Sequence, residues 1–377
     1  MKYKASDITF TTVTVLGIAA LIAAAYGGCV TPSRGNYLLH VLVLGLPFIA
    51  VVAAVWLLVL LLVRRWNLAS IVAIAFVCAI PSIRLICPIN FSHDEKSENS
   101  FTVMTYNVAG MYPYYKKKPS LAMRKILETN ADFVMIQEIP HHLPKGHYET
   151  CEALEEDSAR IEQQYPYRSQ NDDDIVIMSK YPFTTDTIAK PIFGTDSLDS
   201  FFGKYHHYVL AFNVTIGKER ITLVNIHLNS FGLTDSIRHM LKIENKPGEP
   251  GATYATKKGK SNTEILANAF VVRSGQAREV RSWLDHAPAN LILCGDFNDT
   301  AGSYAYRTLR GNDMNDAFSE TGLGPVNTFG KYFMYFKIDH VLYRGCMRAV
   351  SSYVDKSVNV SDHYPLVTKF VITNKTK

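Results

Sequence analysis

Cysteine is scarce in this chain, with six among 377 residues. Cys29, Cys78 and Cys87 fall in the apolar first quarter, while Cys151, Cys294 and Cys346 are scattered through the rest. That spacing makes neither a disulfide framework nor a closed zinc cluster. Acidic residues are almost missing from positions 1–87, where Asp7 stands alone, and the basic residues there are Lys2, Lys4, Arg34, Arg64, Arg65 and Arg84. Setting that segment aside leaves 33 basic against 33 acidic residues over 88–377, so the formal charge of +5 belongs to the front. The basic balance is therefore no argument for nucleic-acid binding. Internal repeats and a glycine-rich phosphate loop are also missing. Hydrophobic residues make up 47% of the chain, which excludes a disordered one.

What the front does contain is three apolar runs. They cover roughly Ile8 to Tyr26, Tyr37 to Val63 and Leu68 to Leu85, and the middle one carries no charge. About 20 apolar residues cross a bilayer as a helix. Residues 1–87 are therefore expected to form a membrane anchor of three transmembrane helices, with Arg84 snorkelling at the end of the third. Lys2, Lys4, Arg64 and Arg65 would share one side, and Arg34 and Arg84 the other. Four basic residues against two favour a cytoplasmic N-terminus, which after three crossings leaves 88–377 extracytoplasmic. Were the first run a cleaved signal peptide, the hairpin of the other two would return the chain to the same outer side.

Residues 88–100 are polar and read as a linker. Beyond them, short β-type runs cover Thr102–Val108, Phe133–Glu138, Ile175–Ser179, Tyr208–Ile216, Ile221–Asn229, Asn290–Asp296, Ile338–Tyr343 and Tyr364–Ile372. Helical spacing appears over Ser120–Thr129 and Asn262–His286. Strands mixed with helices predict an α/β domain with helices packed outside sheet, over 101–373. The stretch 231–262 reads as a long inserted loop.

Several of these strands stay apolar until their last residues and then turn polar. The endings are Asn107, Gln137-Glu138, His227-Leu228-Asn229, Asp296-Phe297-Asn298, Asp339-His340 and Asp362-His363. Strand ends on one rim of a sheet gather such side chains in one cleft. Their oxygens suit a hard cation, Mg²⁺ or Mn²⁺. No serine, cysteine or threonine is set beside a base as a nucleophile, which favours direct attack by water.

The order Asn107, Gln137-Glu138, His227, Gly295-Asp296-Phe297-Asn298, Asp339 and Ser361-Asp362-His363 resembles the endonuclease/exonuclease/phosphatase superfamily. That group includes DNase I-like nucleases, AP endonucleases, neutral sphingomyelinases and inositol polyphosphate 5-phosphatases. The turn Ser179-Lys180-Tyr181-Pro182 and the pair Arg273 and Gln276 are similar as well. The resemblance implies a four-layer α/β sandwich and metal-dependent phosphoester hydrolysis. It further implies metal ligation by Glu138, Asn107 and Asp362. His363 would be the acid/base or phosphate-stabilising group, with its tautomer fixed by Asp339. Asp296 would activate or orient water, Asn298 would hold that water or the phosphate, and His227 would meet the developing charge.

Weaker candidates keep two readings. Asn229 is a site residue or a turn residue. Arg273 and Gln276 face the cleft or a solvated helix surface. His206, His207 and His340 read as surface or strand-end residues. Lys116-Lys117-Lys118 and Lys257, Lys258 and Lys260 form a basic lip or solvated loops. Tyr112, Tyr114, Tyr115, Tyr332, Phe333, Tyr335 and Phe336 stack a base or line a head-group groove. The leading expectation is a membrane-tethered phosphodiesterase or phosphatase acting on a phospholipid head group. A tethered nuclease is the alternative, and a non-catalytic ligand-binding module the remote one.

Overall fold

A computed structural model describes residues 5–91, 99–109, 120–139, 151–169, 175–185, 209–230, 262–331, 334–357 and 359–373. The long loop 231–261, both lysine clusters, His206, His207, Tyr112, Tyr114, Tyr115, Tyr332 and Phe333 lie outside these residues.

The apolar front forms α1 (Ala5–Tyr26), α2 (Tyr37–Leu44), α3 (Leu46–Leu62) and α4 (Trp66–Ile86). By length and composition, α1 and α4 are long and apolar enough to cross a membrane, and the α2–α3 pair makes a third span if counted as one. The middle run is thus not the single straight helix that its composition predicts, but is bent by 71°. Pro47 supplies the reason. It has no N–H to donate, and its ring would clash with the carbonyl four residues back. Gly45, itself between the two helices, eases the bend.

Three contacts fix how these helices run. Arg65 pairs with Asp7 at 2.7 Å, joining the starts of α1 and α4. Ser82 Oγ donates to the Ala25 carbonyl at 2.6 Å, joining their ends. The two are therefore parallel. Late in α3, Trp56 stacks on Phe10 of early α1 and donates through Nε1 to Thr14 Oγ1 at 3.0 Å. So α3 is the antiparallel return between them.

The linker expected over 88–100 is partly fastened. Pro88 O accepts from Gly324 N at 2.7 Å, and Asn90 Nδ2 donates to the Ser319 and Gly322 carbonyls.

Two six-stranded mixed sheets follow. The first has the order β13 (Met347–Val354), β14 (Leu366–Ile372), β1 (Ser100–Asn107), β2 (Phe133–Gln137), β4 (Ile175–Ser179), β3 (Tyr167–Arg168). The second has β5 (Phe183–Thr185), β6 (Val209–Ile216), β7 (Glu219–His227), β8 (Leu291–Asp296), β12 (Asp339–Arg344), β9 (Asn315–Asp316). A small ribbon pairs β10 (Phe329–Lys331) with β11 (Met334–Phe336).

The strands alternate their faces with period two. In β1, Phe101 and Val103 enter the apolar layer between the sheets, joined there by Phe133, Met135, Phe212, Ile292, Val341 and Phe370. The next residue, Met104, turns to the outer face beneath α5 (Ser120–Thr129) and α6 (Cys151–Gln164). The outer face of the second sheet is covered by α7 (Asn262–Leu284) and α8 (Tyr304–Arg310), which bury Val224, Ile226, Leu291 and Leu293. A last short helix, α9 (Ala317–Thr321), packs by β13. Helix, sheet, sheet, helix is the four-layer sandwich that the resemblance implied. The Cys29, Cys78, Cys87, Cys294 and Cys346 thiols are free.

Candidate active site

The site follows from register. Parallel pairing sets Asn107 beside Gln137 in one sheet and His227 beside Asp296 in the other. Antiparallel pairing then sets Asp339 across from Asp296. One end of each sheet thus collects the polar strand ends. Beneath them a polar bridge joins the sheets. Buried Gln137 donates to Asn225 Oδ1 at 2.6 Å, and Asn225 donates back to the Ile136 carbonyl at 2.9 Å.

Asp296 is the centre. Its Oδ1 accepts from the Asn298 amide at 2.7 Å. Its Oδ2 accepts from Asn107 Nδ2 at 3.0 Å and Asn298 Nδ2 at 3.3 Å. The same Asn107 nitrogen reaches Glu138 Oε1 at 3.0 Å, so one amide spans the two carboxylates. His363 Nε2 stands 3.6 Å from Asp296 Oδ2, and its Nδ1 meets Asp339 Oδ2 at 2.9 Å. His227 Nε2 lies 3.6 Å from Glu138 and 3.8 Å from Asp296, and has no hydrogen-bond partner among the described residues. Asp362 is half-buried next to this group, with its Oδ1 3.4 Å from Ser361 Oγ. Seven of the eight expected site residues therefore form one contact network, and Asp362 borders it.

The backbone is held under strain here. Ala109, Glu138 and Asn298 sit in the left-handed region at φ of 47°, 55° and 51°. Non-glycine residues there persist only where their surroundings over-determine them, and they cluster at functional sites. Gly295 is required for close approach, because a Cβ on it would lie 1.9 Å from the Ile226 carbonyl oxygen.

Charge is balanced by burial and proximity. Burial pushes the Asp296 carboxyl up to about 6, with His363 opposing the rise and Asp339 adding to it. Burial alone would lower His363, yet the Asp339 and Asp296 carboxylates outweigh it and push the imidazole up to about 10. At neutral pH the pair is therefore carboxylate and imidazolium.

The donors fit a hard divalent cation on the Glu138 side. Glu138 offers carboxylate oxygens there without a thiolate, while Asn107 beside it turns its amide nitrogen to Glu138 and accepts through Oδ1 from the Ala109 amide at 2.9 Å. Asp296, Asp339 and His363 also bring donor atoms within 4.8 Å of one another, but Asp339 and His363 already satisfy each other there.

The weaker candidates resolve differently. Arg273 is wholly buried, neither in the cleft nor solvated; its Nη1 donates to the Asn229 carbonyl at 2.9 Å and its Nε to Asp299 at 3.3 Å. Gln276 Oε1 accepts from Asn229 N at 2.9 Å. Both residues therefore hold the loop after β7. His340 is not at the surface. It is fully buried against Phe297 and Tyr306, with Nε2 3.0 Å from the Asp299 carbonyl. Two supports went unrecognised in the sequence. Thr328 Oγ1 accepts from the Ile338 and Asp339 amides, and Phe329 meets the His363 ring edge-on at 5.2 Å. Only the tertiary pairing of β10 with the His363 segment reveals them.

Residues 104–363 match the Endonuclease/Exonuclease/phosphatase family, and the chain belongs to it. Among solved structures, it is similar to an endonuclease/exonuclease/phosphatase from Beutenbergia cavernae DSM 12333, at 17% identity and a TM-score of 0.47, covering 73% of this chain and 72% of that one. Sphingomyelinase C from Streptomyces griseocarneus aligns at 18% identity and a TM-score of 0.43, covering 72% and 99%. Truncated Caenorhabditis elegans TDP2 aligns at 14% and 0.44, covering 72% and 98%. No curated protein matches the chain.

Proposed function

We propose that this protein is a membrane-anchored phosphoester hydrolase in which water attacks the phosphorus directly. The observation that carries the reading is the unbroken contact chain Glu138–Asn107–Asp296–His363–Asp339 across two sheets. Glu138 and Asn107, with Asp362 at the border, would hold Mg²⁺ or Mn²⁺, which when bound supplies positive charge to the phosphate oxygens. Asp296 is the base that orients and deprotonates water. Its raised pKa suits that task, because it is ionised at neutral pH but close enough to accept a proton. His363, kept cationic by Asp339, stabilises the charge on the phosphate rather than acting as the base. His227 offers an unpaired Nε2 on the opposite side, and Asn298 fixes Asp296 and the water.

Three passes of apolar helix anchor residues 1–87 and set the catalytic domain outside the cytoplasm. The substrate reading is a phospholipid head group. A tether keeps the enzyme at that surface, and the neutral 88–377 segment lacks the excess of cations with which duplex binders neutralise several phosphates. The test uses the full chain in detergent micelles, with Mg²⁺ or EDTA, on mixed phospholipid vesicles and plasmid DNA in parallel. Glu138→Ala and His363→Ala serve as blanks. Phosphate or head-group release that EDTA and both variants abolish supports the reading. Plasmid cleavage without lipid turnover makes the protein a tethered nuclease. Turnover that survives both variants rejects the site.

A further inference from the structure

We infer that the N-terminal helices are part of the scaffold that positions the catalytic loop, with Arg307 as the positioning residue that locks the two together. The inference rests on the reading of Asp296 and Asn298 as site residues. Loop 297–303 runs from Asp296 directly into α8. Arg307 of that helix reaches back, and its Nε donates to the Gly302 carbonyl at 2.8 Å. The same guanidinium donates through Nη2 to the Ala25 carbonyl at 3.0 Å and to Ser82 Oγ at 3.1 Å. Ala25 lies in the last turn of α1, where carbonyls have no partner within the helix and the helix dipole favours a cation. One side chain thus ties the end of the catalytic loop to the ends of α1 and α4.

A second contact presses the same two parts together. A Cβ on Gly28 would lie 1.9 Å from the Gly302 carbonyl oxygen and 2.9 Å from the Ser303 carbonyl carbon, so backbone rests on backbone. The other wall of the site is seated in the same way. On α7, Asn268 accepts from Arg34 Nε at 3.0 Å, and the Phe270 ring packs 5.4 Å from the His40 ring. One turn further along, Arg273 and Gln276 grip Asn229 and Asp299. Both loops that flank Asp296 therefore stand on helical turns that stand on the N-terminal helices. A passive tether would need no contact of this kind.

The test measures hydrogen–deuterium exchange on the full chain in detergent micelles, wild type against Gly28→Ala, Arg307→Ala and Arg307→Lys. Gly28 lies outside the catalytic domain and meets loop 297–303 at Gly302 and Ser303, so its effect there is direct across that contact and any effect at 228–230 must be transmitted. The expected result is exchange about tenfold faster at 228–230 and 297–303 in Gly28→Ala and Arg307→Ala, with β1, β2 and β14 unchanged. Arg307→Lys should recover part of the protection. Where turnover of the vesicles is measurable, kcat should fall by about 10–100-fold with KM little changed. Unchanged exchange at both loops would overturn the inference, as would a uniform rise across both sheets. The exchange readout needs no substrate, so failure to find turnover would count against the proposed function alone.

Discussion

His363 lies between Asp339 and Asp296 in a buried site, and that position decides its charge. Pushed up to about 10, it is an imidazolium throughout the neutral range, while Asp296, pushed up to about 6, is a carboxylate. Activity should therefore rise with pH as the coupled site loses the Asp296 proton near 6, and fall as the His363 proton leaves near 10. His363→Gln should lose about 10²–10⁴-fold in kcat and should also lose the alkaline limb. A pH–rate profile of the variant that keeps the alkaline limb would reassign it. The stability linkage has a definite sign. The folded value of His363 lies above the ordinary 6.5, so its contribution is complete below that pH and is lost as pH rises through about 10. Burial raises Asp296 above its ordinary 3.8, so its contribution is likewise greatest at low pH and is lost as pH rises through about 6. Thermal melts of wild type and His363→Gln should thus differ more at pH 6 than at pH 11.

The strand β8 shows how an element makes that residue geometry possible. It is apolar through Cys294, and then Gly295 lets it pass against Ile226 of β7 before Asp296 turns into the site. The Gly295 φ of +143° and the absence of space for a Cβ mean that Gly295→Ala costs about 3 kcal/mol or more in backbone strain and displacement of β7. Denaturant unfolding should show the loss; a variant within about 0.5 kcal/mol of wild type would contradict the close packing. Such elements were legible because an apolar run with a polar end is a local pattern. All eight strands read from the sequence recur in the two sheets. The edge strand β13 was not legible, since a register shift between Ala349 and Ser351 and the buried Ser352 break its alternation, and it is held by pairing with β14. Arg273 misled for a related reason. An arginine on a helix reads as facing a cleft or solvent, and what buries it is Asp299 and the Asn229 carbonyl, 26 and 44 residues away. His340 is the same case, since its partners Asp299 and Tyr306 come from the loop and helix after β8.

At the scale of the whole molecule, the decisive quantity is the number of passes. Charge counts favour an inside N-terminus by four basic residues against two, which is a narrow margin. The helix contacts supply an independent constraint. Asp7–Arg65 joins the starts of α1 and α4, and Ser82–Ala25 joins their ends. Parallel helices linked in sequence require a return through the same thickness, which α3 supplies beside Trp56 and Phe10. In a membrane that arrangement would amount to three passes, despite the 71° bend that interrupts the middle run. On the proposed reading, in which these helices cross a membrane, the N-terminus and the catalytic domain lie on opposite sides of it. Reporter fusions check this directly: an alkaline phosphatase fused after Arg34 or after Lys377 should be active, and one fused after Arg65 should be inactive. The same activity at Arg34 and Arg65 would mean that the α2–α3 pair does not cross, and would require α1 and α4 to separate from the parallel arrangement that Ser82 and Asp7 secure. Activity at Arg65 alone would keep three passes and invert them, moving the cleft to cytoplasmic phosphoesters while leaving its chemistry as argued from Asp296 and His363.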